Sequence, residues 1–162
     1  MRLILEVFFW AAVSVLHWWL GNAFSSYSVA PDLLFVSMLA FSAFSPMTRG
    51  TVWAFIVGLY ADMYSGSPLG ANAMAYTLLS WGVQIISQRF DLYDHLTQAV
   101  IAFVLSWPAN IICWLLSVLF SGDSQFSTRY FCLMPVLNAI ASPFIFATVY
   151  GIKKAFRFTD RE

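Results

Sequence analysis

Asp62 ends a row of small residues, Gly50, Ala54 and Gly58, each four positions from the next. At that spacing the four lie on one helix face, with about 6 Å per step. Rows of small residues let a second helix approach closely, which is how helices pack in lipid. The row reads either as a docking face for a partner chain or as packing within the chain's own bundle. Just beyond Asp62 comes the turn-forming run Ser65-Gly66-Ser67-Pro68-Leu69-Gly70. An ionisable residue inside a membrane span is costly and marks a site by default. Two uses compete for Asp62. It could line an outward pocket and bind a solute or a proton. It could instead accept hydrogen bonds from backbone N–H groups of the turn and fix the joint between two spans.

The other polar residues in apolar stretches read as structural. Asp32 follows Pro31, and a proline with an acid beside it is an ordinary helix start, since the acid suits the positive helix end. Asn110 follows Pro108 closely, and Asn138 lies between Pro135 and Pro143. Both are expected to bond a neighbouring helix near a kink. Glu6 and His17 are too far apart on one helix, roughly 16 Å, to pair with each other. Glu6 is expected to reach towards water at one interface, and His17 to join Trp18 and Trp19 in an interfacial belt. No catalytic set forms. HExxH, a P-loop and a dinucleotide fingerprint are absent. Asp62 has no second deep carboxylate, and no serine has an oriented histidine base. Cys113 and Cys132 sit in apolar runs without metal-ligand spacing and read as small hydrophobes. No cofactor or metal is expected.

These residues must be positioned by membrane helices. The chain has 162 residues, 60% hydrophobic and 10% charged, with thirty aromatics: sixteen Phe, seven Trp and seven Tyr. Its mean hydropathy is +0.75. A soluble domain is about 25% charged, and eight basic residues balance eight acidic ones. That excludes a soluble globule, a disordered chain and a nucleic-acid binder. The apolar runs are too continuous for barrel strands, so the fold class is an all-α integral membrane protein. Six spans are expected, at about 3–20, 28–45, 50–65, 70–87, 96–120 and 131–152, forming a single domain. Arg2, Arg49, Arg89, Lys153, Lys154, Arg157 and Arg161 then fall on one side and Arg129 on the other. This asymmetry places both termini in the cytoplasm. Gly21-Asn22-Ala23 offers a signal-peptide-like cleavage site, but the apolar run before it exceeds the usual length of about 7–15 residues. The first span is expected to stay.

The stretch from Pro31 to Gly70, PDLLFVSMLAFSAFSPMTRGTVWAFIVGLYADMYSGSPLG, resembles the rod shape-determining protein MreD family. The likeness lies in Pro31 opening the second span, then Gly50, Gly58, Asp62, Ser65, Gly66 and Gly70. A second stretch, VLNAIASPFIF, has Asn138 and Pro143 at a similar spacing, followed by the basic tail of Lys153, Lys154 and Arg157.

The resemblance implies a six-helix bundle similar to the S components of vitamin uptake transporters. It implies a non-enzymatic scaffold of the bacterial inner membrane that takes part in cell elongation. The implied partner is an MreC-like protein. Through it the chain would meet the MreB cytoskeleton and the cell-wall synthases, a shape-type glycosyltransferase and a penicillin-binding transpeptidase. The lipid bilayer is the surroundings, and no nucleic acid is involved. A different class stays open, a substrate-binding subunit of a vitamin transporter with its ligand near Asp62. The alanine row such a subunit uses for docking is missing from the first span, where Ala11 and Ala12 are adjacent.

Overall fold

The computed structural model describes residues 2–24, 29–65, 68–121 and 128–159. They form six α-helices: α1 (Arg2–Ala23), α2 (Leu33–Ala43), α3 (Met47–Ser65), α4 (Ala71–Ser87), α5 (His95–Ser121) and α6 (Thr128–Thr159). No strand occurs among the described residues. Two helices contain segments long and apolar enough to cross a membrane, His95–Phe120 and Phe131–Lys154.

The second segment differs from its expected extent. The helix has 11 residues, Leu33–Ala43, where a span from Ser28 to Ser45 was expected. Ser28 lies outside the described residues. Proline disfavours helix in the residue before it, so Pro31 delays the start and Pro46 limits the end. Eleven residues rise about 16 Å, roughly half of a hydrocarbon core of about 30 Å. The short helix is apolar on every side, and Leu34 to Ser42 are all buried. A helix of that pattern belongs in the middle of a protein. Accordingly α2 packs against α1, α3, α4 and α6, while α3 pairs with α4 and α5 with α6.

The row Gly50, Ala54, Gly58 and Asp62 is buried in the chain's own bundle. A Cβ at Gly58 would stand 2.4 Å from the Ala73 Cα and 2.8 Å from the Asn72 carbonyl oxygen. A Cβ at Gly50 would stand 3.1 Å from the Ser42 Cα. The small residues therefore bring the α3 backbone against α4 at one end and α2 at the other. The opposite face of α3 exposes Val52, Phe55, Ile56 and Met63. Around α2, Trp10 of α1 packs on Phe41 and Trp53, with ring centroids 5.6 and 5.9 Å away. At α6, Pro143 cannot donate to the Ala139 carbonyl. The Ser142 hydroxyl donates to that oxygen instead, at 2.9 Å.

Candidate functional site: two polar ends of one bundle

At one end of the bundle Asp62 closes the joint between α3 and α4. Its side chain is 1% exposed. One carboxylate oxygen accepts the Gly70 N–H at 2.8 Å and the Ala73 N–H at 3.3 Å. The other accepts the Asn72 N–H at 2.8 Å. These are the free donors of the first turn of α4, which have no partner within the helix. An acid there also suits the positive helix end. Gly70 has φ +101°, a left-handed conformation that only glycine adopts freely, and it turns the chain into α4. Beside it, the Asn72 side-chain amide meets the Ser65 hydroxyl at 3.5 Å. The Cys113 thiol donates to the Asn72 Oδ1 at 3.1 Å. Gly66 lies outside the described residues.

A second network centres on Asp32, the N-cap of α2. Its carboxylate accepts the Phe35 N–H at 3.0 Å and the Tyr76 hydroxyl at 2.8 Å. Its own backbone N–H donates to the Asn138 Oδ1 at 2.8 Å. The Asn138 amide then donates to the Ser106 hydroxyl at 3.0 Å. Residues far apart in the chain thus join α2, α4, α5 and α6 at one depth. Pro31 supplies the carbonyl that accepts the Leu33 N–H, at 3.1 Å.

Between these two networks lies a cavity of about 430 Å³, lined among others by His17, Asp32, Tyr64, Asn72, Asn110 and Asn138. His17 faces inward instead of joining an interfacial belt. Its ring meets Tyr64 edge-on at 5.2 Å, and its Nδ1 is 3.9 Å from the Asp32 carboxylate. The His17 Nδ1 and the Asn110 Nδ2 are buried without a hydrogen-bond partner among the described residues. The Asn110 Nδ2 thus makes no bond to a neighbouring helix among the described residues. Spacing along the chain could not have found His17, Tyr64 or Tyr76, because each meets the site from a different helix.

The opposite end is basic. Arg49 lies 3.1 Å from the Glu6 carboxylate, which also accepts the Trp53 indole N–H at 2.9 Å. Glu6 is thus held between α1 and α3 and does not simply extend to water. Lys153 of α6 donates to the Phe41 carbonyl at 3.1 Å, a free acceptor at the end of α2, and to the Ser45 hydroxyl. Its ammonium also sits 4.1 Å from the centre of the Phe41 ring.

The model of the family "rod shape-determining protein MreD" matches residues 1–152. The chain belongs to the MreD family. Comparison with curated proteins and with solved structures gave no match. Membership makes this a rod shape-determining membrane protein. The matched region includes the Asp62 joint, the Asn138 network and Glu6 and Arg49 of the basic end, and it stops just before Lys153. No group of three or more metal-ligating side chains occurs among the described residues.

Proposed function

We propose that the chain is a non-enzymatic, multi-pass scaffold subunit of the bacterial inner membrane. It associates with an MreC-like protein and so helps to position peptidoglycan synthesis during elongation. The observation that carries this reading is the family match across residues 1–152. The side-chain chemistry supports it. Asp62, Asp32 and Asn138, the polar groups best placed for a reaction, spend their bonds on joining helices.

The same geometry moves the partner contact away from the Gly50–Gly58 row, which α2 and α4 already cover. Partners meet the outer faces of the helices. In this reading the MreB cytoskeleton and the cell-wall synthases, a shape-type glycosyltransferase and a penicillin-binding transpeptidase, are reached through the MreC-like chain. The test is affinity purification of the tagged protein from gently solubilised native membranes, with mass spectrometry of what accompanies it. The expected result is an MreC-like protein with cell-wall synthases. Recovery of transporter ATPase subunits without these proteins would overturn the scaffold reading.

A further inference from the structure

The basic end forms a second, partly open cavity of about 610 Å³, lined among others by Glu6, Arg49, Lys153, Lys154, Tyr93 and Tyr150. Three cations line it against a single carboxylate. They come from different elements: Arg49 from the start of α3, and Lys153 and Lys154 from the last part of α6. Two of them are anchored. Glu6 holds the Arg49 guanidinium. The Phe41 carbonyl and the Ser45 hydroxyl take two of the three N–H donors of Lys153. One carboxylate cannot neutralise three cations, so the lining keeps an excess of positive charge and of unspent donors.

Phe44, Tyr93 and Tyr150 supply an aromatic part of the wall. Tyr93 and Tyr150 meet edge-on at 5.1 Å, and Phe44 packs 5.8 Å from Tyr93 and 5.9 Å from Tyr150. Cations beside an aromatic wall suit a ligand with an anionic head and an apolar body. The distribution of basic residues places this end at the cytoplasmic leaflet. Basic pockets between helices on that side bind anionic head groups.

We propose that this cavity is a phosphate-anion site whose ligand is the head-group phosphodiester of an anionic phospholipid. Arg49, Lys153 and Lys154 face the phosphate, and Phe44, Tyr93 and Tyr150 line the path of the glycerol and upper acyl chains. The proposal is independent of the partners assigned above.

The test is native mass spectrometry of the full chain released from detergent micelles containing phosphatidylglycerol or phosphatidylcholine. A parallel titration uses inorganic phosphate. The wild type is expected to retain phosphatidylglycerol in preference, with no competition from millimolar phosphate. Lys154→Gln removes an exposed cation of the cavity and is expected to lower that affinity about fivefold. Arg89→Gln removes an exposed cation outside the lining and is expected to leave it unchanged. Thermal melting of both variants checks that they remain folded. Equal retention of the two lipids, or equal losses in the two variants, would overturn the site. Displacement of lipid by free phosphate would overturn the lipid as its source.

Discussion

Asp62 accepts three backbone hydrogen bonds at the start of α4. Replacing it with alanine leaves three backbone N–H groups at the start of α4 without their acceptor. Asp62→Ala is expected to lower stability by about 2–4 kcal/mol. Asp62→Asn keeps one acceptor oxygen and should lose less. Reversible unfolding in mixed detergent micelles measures both. Asn138 makes two bonds through one amide, to the Asp32 N–H and the Ser106 hydroxyl. A double-mutant cycle of Asn138→Leu with Ser106→Ala should show a coupling of about 0.6 kcal/mol, below about 2. A coupling of zero would mean that the second bond adds nothing. Asp94 precedes α5 in the connection from α4. The Thr97 backbone N–H and hydroxyl hold its carboxyl below the usual carboxylate range. A lowered folded-state value adds stability above the ordinary carboxylate range, and this is lost as pH falls through the lowered value. The first turn of α5 should therefore loosen in acid, and NMR of the Thr97 amide follows it. Of these residues Asp62 was legible in the sequence, as an acid between a small-residue row and a glycine turn. The partners of Asp32 were not, since Tyr76 and Asn138 lie far along the chain.

Helix contacts follow from where the backbone is bare. Gly58 lies so close to α4 that a Cβ would stand 2.4 Å from a backbone atom, whereas a Cβ at Gly82 would meet nothing within 4 Å. The two glycines should answer the same substitution differently. Gly58→Ala forces α3 and α4 apart and is expected to cost about 1–3 kcal/mol. Gly82→Ala gains helix propensity and should be neutral or stabilising by up to about 1 kcal/mol. Thermal melting of both variants in one detergent decides it, and equal effects would contradict the packing. The spacing of the row was visible in the sequence. Its partner was not, because a stripe of small residues fits a foreign helix as well as a neighbouring one. The short α2 shows the opposite limit. Its apolar run continued past the helix ends, and Pro31, Asp32 and Pro46 decided where the helix stopped.

Across the molecule the polar groups separate into two ends. Asp62, Asp32 and His17 gather at one, and Arg49, Lys153 and Lys154 at the other. The orientation expected from the basic residues puts the second of these ends in the cytoplasm. A reporter fused after residue 162 should therefore report a cytoplasmic C-terminus, as should one fused before Met1. A periplasmic signal from both would reverse the orientation, and one from a single terminus would contradict an even number of spans. The aromatic side chains left outside the bundle, such as Phe8, Trp19 and Phe144, then face lipid or partner chains.

Composition and run length were enough to establish helices and an apolar surrounding, because a backbone in lipid must satisfy itself. Local punctuation was enough to mark Asp62 and Gly70, because a capping acid and a left-handed glycine act within a few residues of each other. Tertiary structure decided the rest. It turned the Gly50–Gly58 row inward, brought His17 beside Asp32, tied Asn138 to α2 and gathered three cations around one cavity. The physical reason is that apolar helices have many nearly equivalent faces in their sequences. Which faces meet depends on close packing and on hydrogen bonds between helices, and neither leaves a periodic trace along the chain.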